Sequence, residues 1–201
     1  GCSWPWQALS TSLECFLEAL AKHKSARLKW LGAWPDTLPK PLAEHPRLDR
    51  VGWLPYQEYR HTLSKATAAF DWYQPNPERE LALAFRHMDY LGSGLPILGY
   101  PNTALEDILD GAGLLSEDIA GSTDSWLQNG RLRNKARKSA LQTADRFHWS
   151  KTTHPLIEWL QSPKKRTRQD SQLMSWIAKS AAHDSALTET QLQRQKVETL
   201  E

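Results

Sequence analysis

Short apolar runs alternate with longer stretches of helical apolar spacing from about Ser10 to Leu115, and this alternation constrains the fold more than any other feature. The runs that predict strands are Arg27–Leu31, Leu48–Trp53, Ala68–Tyr73, Leu95–Gly99 and Gly113–Leu115. The stretches that predict helices are Ser10–Lys24, Pro55–Lys65, Glu78–Leu91 and Thr103–Asp110. Strands that alternate with helices through short loops form a parallel sheet with helices on both faces. The sequence therefore predicts a Rossmann-like α/β fold.

The pattern turns helical after Ser122. We expect a long basic helix over Asp124–Trp149 and a short apolar helix over His154–Leu160, followed by further helical sequence. The basic run at 164–168 is typical of a solvated linker, and a polar helix is predicted from Gln169 onward. We divide the chain into a domain over 1–162 and a basic linker with a C-terminal helix over 163–201, a helix suited to self-association. Since the chain starts without Met, we expect it to be a piece of a longer protein.

Composition excludes several classes of protein. The net charge of +2 argues against a dedicated nucleic-acid binder. Cys2 and Cys15 have no CxxC spacing, so neither a zinc site nor a disulfide framework is expected. No apolar run approaches the roughly 18–20 residues of a membrane span, and no signal peptide opens the chain. These features favour a cytoplasmic protein without a bound metal.

The polar residues that follow the third predicted strand are the strongest candidates for a site. In an open parallel sheet, ligands bind beyond the carboxyl ends of the strands. There Glu78 and Glu80 begin a predicted helix, and Arg86 and Asp89 share one of its faces. A cation, free helix N–H groups and carboxylates together suit a sugar joined to a nucleoside through a diphosphate. The same residues also fit a surface ion pair and favourable charges at a helix start.

The same stretch resembles the donor-binding half of GT-B glycosyltransferases of the group 1 or family 4 type. The resemblance rests on Glu80, on Asp89 and on the turn Ser93-Gly94-Leu95-Pro96-Ile97. It extends over about residues 1–160, with Trp4-Pro5-Trp6-Gln7 near the first loop and Phe147-His148-Trp149 near the end. Two features depart from the family pattern. Glu80 stands one position too far from Asp89, and Trp4-Pro5-Trp6-Gln7 replaces the usual basic pair.

The resemblance implies a role for each matching residue. Asp89 would hold the ribose, and Arg86 would bind the diphosphate as a catalytic residue. Glu80 would be the second catalytic residue and would lie near the transferred sugar, with Glu78, a donor-binding residue, as the alternative there. The remaining donor-binding residues would be Trp53 beside the nucleobase, Trp6 and Gly94.

The function implied is transfer of a sugar, as by a hexosyltransferase, from a nucleoside-diphosphate sugar to a glycan or lipid-linked acceptor in polysaccharide biosynthesis. No cofactor besides the donor substrate is expected. The acceptor-binding domain and the strand that normally precedes the first helix would lie upstream. The domain would then lack its first strand, and the 201 residues would bind the donor without turnover. The basic segments 131–138 and 164–168 suit either solvent or the inner face of an anionic membrane. A nucleotide-sugar epimerase and a non-catalytic assembly module on the same fold are the alternatives.

Overall fold

The computed structural model describes residues 9–163, and the chain divides into two compact units, 1–152 and 153–201. In chain order the elements of the first unit are α1 (Leu9–Ala21), β1 (Leu28–Leu31), α2 (Lys40–Ala43), β2 (Leu48–Gly52), α3 (Tyr56–Lys65), β3 (Ala69–Asp71), α4 (Pro77–Leu81), α5 (Phe85–Gly92), β4 (Ile97–Gly99), α6 (Thr103–Leu109), β5 (Gly113–Leu115), α7 (Ile119–Gln128), α8 (Gly130–Arg146) and α9 (Trp149–Thr152). The second unit contributes α10 (His154–Gln161). The predictions for Trp6 and for the helix after residue 163 lie outside the described residues.

Every strand pairing in the described chain is parallel. β1 pairs with β2, and β3, β4 and β5 form a second group with β4 in the centre. The predicted α/β class with parallel strands is therefore confirmed, although the strands pair as two groups.

Two apolar layers enclose the strands. Consecutive strand residues point to opposite faces of a sheet. Along β4, Ile97 accordingly joins one buried cluster and Leu98 the other. The cluster with Leu98 contains residues of α1 and α7, whereas the cluster with Ile97 contains residues of α3, α5 and α6. Helices therefore pack on both faces of the strands, as predicted.

The helix predicted over Glu78–Leu91 is wrong, because α4 and α5 are separate helices. Ala82 and Ala84 between them have extended backbone. In an unbroken helix, Arg79 and Arg86 would stand about 10 Å apart along the axis. In the fold both of their guanidinium groups contact one carboxylate, that of Asp71. The interruption lets the chain bend around this carboxylate.

The helix predicted over Asp124–Trp149 is also wrong. The predicted range contains the end of α7 and the whole of α8, and these two helices are separated at Asn129. The Asn129 side chain accepts a hydrogen bond from the backbone N–H of Leu132 and so caps α8. None of the helices within residues 9–163 combines the length and the apolar character needed to cross a membrane.

Candidate functional site

A buried carboxylate lies at the carboxyl end of β3. Asp71 is the last residue of that strand and is fully buried. Its Oδ1 accepts hydrogen bonds from Arg86 Nη2 at 3.0 Å and Arg86 Nε at 3.2 Å, while Arg79 Nη2 donates to Oδ2. His87 Nε2 lies 3.1 Å from Oδ2. We call these four residues the Asp71 cluster.

The Asp71 cluster carries a net positive charge. Burial by itself raises the pKa of Asp71, but the nearby imidazole of His87 and the positive charges of Arg86 and Arg79 outweigh it and lower the pKa. Burial lowers the pKa of Arg86, whereas the charge of Asp71 raises it, and the net shift is upward. The carboxylate is therefore ionised, and it balances the charge of only one of the two guanidinium groups.

Tyr73 fixes the position of the two guanidinium groups. Its ring centroid lies 4.7 Å from Cζ of Arg86 and 5.3 Å from Cζ of Arg79, which is within cation–π range. The side chain of Arg79 is only 7% exposed, whereas that of Arg86 is 27% exposed. Arg86 is thus the cation of the cluster that a ligand in solvent can reach.

Polar contacts join the loops after β3 and β4. Glu80 Oε2 accepts hydrogen bonds from the backbone N–H and the hydroxyl of Thr103, at 3.0 and 3.1 Å. Gln74 Nε2 donates to Ser12 Oγ at 3.0 Å and to Tyr100 OH at 3.3 Å. These hydrogen bonds connect the start of α1 and the start of α6 to the loops at the carboxyl ends of the strands.

An aromatic pocket of about 280 Å³ opens at the carboxyl ends of β1 and β2. Its lining residues are Leu31, Gly32, Gly52, Trp53, Leu54, Tyr56 and Tyr59. Trp53 is 72% exposed and Tyr56 is 63% exposed, so both rings offer uncovered faces. Gly52 has φ +78°, a backbone conformation that favours glycine, and it turns the chain from β2 into the pocket wall.

Asp89 lies beside this aromatic pocket. The hydroxyl of Tyr59, a pocket residue, donates to Asp89 Oδ2 at 3.2 Å. Burial, together with the nearby charge of Asp89, raises the pKa of Tyr59 to about 12, so the phenol keeps its proton. Arg60 Nη1 lies 3.8 Å from Asp89 Oδ1. The alternative of an Arg86–Asp89 surface ion pair is therefore wrong, because each residue has a different partner.

The structure does not bring every predicted site residue together. Arg86 and Glu80 lie at the carboxyl ends of β3 and β4, Asp89 and Trp53 lie at or beside the aromatic pocket, and Glu78 is exposed on α4. Gly94, by contrast, precedes the amino end of β4, with φ +65° and Leu141 3.2 Å from the position of an added Cβ. Its surroundings are those of a packed turn.

Sequence reasoning missed several residues at the carboxyl ends of the strands. Asp71 appears in the sequence only as the polar end of a strand, and its three partners follow 8 to 16 residues later. Gln74 and Tyr100 carry no motif either, although both follow predicted strands. Their position directly after strands was the available signal. Among the described residues, no three His, Cys, Asp or Glu side chains are grouped so as to hold a metal ion.

A parallel α/β unit with helices on both faces is a Rossmann-like domain, and in such domains ligands bind at the carboxyl ends of the strands, where the cationic cluster and the aromatic pocket lie. The chain belongs to the glycosyl transferase-like family, whose model matches residues 11–158. The resemblance to glycosyltransferases found in the sequence is thus confirmed at the level of the family.

Among solved structures, the chain is similar to a "putative UDP-N-acetylglucosamine 2-epimerase" from Listeria monocytogenes, with 17% identity and a TM-score of 0.45. The match covers 76% of this chain and 42% of that chain, so the chain spans about two fifths of that protein's length. No curated protein sequence matches the chain significantly.

Proposed function

We propose that this domain is the donor-binding half of a glycosyltransferase and binds a nucleoside-diphosphate sugar, with the acceptor-binding half upstream. The observation that carries the proposal is that the carboxyl ends of the strands offer a suitable group for each part of the donor. The aromatic pocket lies at the carboxyl ends of β1 and β2, the Asp89 carboxylate is bound to Tyr59 of that pocket, and the Asp71 cluster lies at the carboxyl end of β3. These groups would bind the nucleobase, the ribose and the diphosphate.

The aromatic pocket suits the nucleobase. Trp53 and Tyr56 offer exposed rings, and stacking a base on an aromatic ring contributes about 1–3 kcal/mol. Tyr59 connects this pocket to Asp89, whose carboxylate would accept hydrogen bonds from the ribose hydroxyls. The bond from Tyr59 occupies Oδ2, and Oδ1, which lies 3.8 Å from Arg60 Nη1, would accept the bond from the ribose.

The Asp71 cluster suits the diphosphate. Arg86 directs Nε and Nη2 to Asp71, which leaves the N–H groups of Nη1 for a phosphate oxygen. The ion pair and the ring of Tyr73 hold the guanidinium in place before the ligand arrives. A fixed positive charge stabilises the negative charge that the diphosphate gains as its bond to the sugar breaks.

Glu80 is the candidate for contact with the transferred sugar, and Glu78 is the neighbouring alternative. Glu80 lies between the loop after β3 and the start of α6, with one carboxylate oxygen bound to Thr103. Its second oxygen would accept a bond from a sugar hydroxyl. Family membership supports the transfer of a sugar. In this proposal the acceptor is a glycan or a lipid-linked molecule, and the reaction belongs to polysaccharide biosynthesis.

A thermal-shift panel tests the proposal. The chain is melted with UDP, GDP, ADP and TDP, with the corresponding nucleosides, and with their sugar conjugates. A ligand at ten times its Kd stabilises the folded state by about 1.4 kcal/mol. For a domain of this size, that free energy raises Tm by about 3–5 °C. We expect this shift for at least one nucleoside diphosphate and a smaller one for its nucleoside. Absence of any shift at millimolar ligand would refute donor binding.

A further inference from the structure

Helix α10 separates its apolar and polar residues cleanly. Leu156, Ile157, Trp159 and Leu160 occupy one side, an arc of about 160° at the helical spacing of 100° per residue. Their exposures range from 45 to 62%, so this apolar side faces solvent. We call it the apolar side of α10.

The opposite side of α10 is polar. His154 Nε2 lies 3.2 Å from Glu158 Oε1, one helical turn away, and Gln161 continues the same side. This pairing keeps the only acidic residue of the helix away from the apolar side.

The sequence directly after α10 is strongly basic. The basic residues are Lys164, Lys165, Arg166 and Arg168, and no acidic residue occurs between Glu158 and Asp170. An exposed apolar side is therefore continuous in the chain with a run of positive charge.

We propose that α10 binds the surface of an anionic membrane, with its apolar side in the interface and the basic run on the lipid headgroups. Short amphipathic helices bind interfaces through buried apolar area together with attraction to anionic lipids. Trp159 is suited to the boundary, since indole rings favour the membrane–water interface. The charge selects a membrane over a second copy of this chain, because two copies would bring like charges together. This inference is independent of donor binding.

Vesicle co-sedimentation of the full chain tests the inference. The vesicles are phosphatidylcholine alone or phosphatidylcholine with about 30% phosphatidylglycerol, to imitate an anionic leaflet. We expect binding to the anionic vesicles only. The double substitution L156E/L160E should weaken it at least about tenfold, and K164E/K165E should weaken it by a similar factor. K164E/K165E alters no residue of the helix, so it preserves the test if the first variant misfolds.

The matched control reverses two exposed charges on α8. R131E/K135E changes the net charge as much as K164E/K165E does, and we expect it to leave vesicle binding within about twofold. An equal loss in this control would show general charge attraction and overturn the inference. Failure of the wild-type chain to bind anionic vesicles would also overturn it. So would a dimer, seen by light scattering, that L156E/L160E converts to monomer.

Discussion

Replacing Asp71 by Asn should destabilise the domain far more than replacing an exposed acid. Asp71 is fully buried between Arg79 and Arg86, and the amide cannot balance either charge. Removing one partner of a buried ion pair leaves an uncompensated charge, at a cost of about 3–5 kcal/mol. Against a typical total of about 5–15 kcal/mol, this loss is large enough for urea denaturation to measure directly.

The matched control is Asp49→Asn. Asp49 accepts bonds from Arg27 at the surface, where water screens the pair, and we expect a much smaller loss of stability. If Asp71→Asn and Asp49→Asn cost the same, or if Asp71→Asn costs less than about 1 kcal/mol, the Asp71 cluster is not a tightly bound charge network.

The pH dependence gives a second readout of the same substitution. Because the pKa of Asp71 is lowered in the folded state, its ionisation adds stability above its unfolded pKa of about 4. That contribution is lost as the pH falls through the lowered folded pKa. The difference in unfolding free energy between wild type and Asp71→Asn should therefore shrink below about pH 4. A difference that stays constant into this acidic range would contradict the assigned role.

Three further predictions concern other parts of the chain. Trp53→Ala should weaken binding of a nucleoside and of its diphosphate alike, by about 1–3 kcal/mol, in a calorimetric titration; an unchanged affinity would exclude stacking on this ring. Gly94→Ala should cost about 1 kcal/mol or more in chemical denaturation, because its φ is +65° and Leu141 occupies the space, yet leave nucleotide affinity intact; a selective loss of affinity would return Gly94 to the donor site. Truncation after Pro163 should leave a cooperative melting transition and nucleotide binding unchanged, whereas loss of cooperative unfolding would show that the C-terminal residues complete the core.

The fold could be predicted because its signals are local. Each strand is a short apolar run bounded by Gly, Pro or polar residues, and each helix repeats apolar residues at helical spacing. The two wrong helix predictions, over Glu78–Leu91 and over Asp124–Trp149, have different causes. The Asn129-Gly130 pair is a recognisable helix boundary that the long basic pattern obscured. The break at Ala82–Ala84 contains no Gly or Pro, so no local signal marks it. Long-range contacts to Asp71 favour the break over the local propensity for helix.

The candidate site could be predicted in its location but not in its pairing. Ligand sites lie after the strands of such sheets, and this rule led to Glu80 and Arg86. Helical spacing then suggested that Arg86 pairs with Asp89, whereas the fold pairs Arg86 with Asp71 and Asp89 with Tyr59 and Arg60. Which strand end meets which helix depends on packing across the whole domain, and no local pattern encodes it.

The central claim is that Arg86 binds the diphosphate of the donor while the nucleoside lies in the aromatic pocket. The direct measurement is a calorimetric titration of wild type and Arg86→Met with the best nucleoside diphosphate of the panel and with its nucleoside. Methionine keeps an apolar stem on Tyr73, and Arg131→Met on the exposed side of α8 is the control. We predict that Arg86→Met weakens diphosphate binding by about 1.5–3 kcal/mol, the range for charged hydrogen bonds, and leaves nucleoside binding within about twofold. Equal losses for both ligands, or no loss for the diphosphate, would contradict the claim.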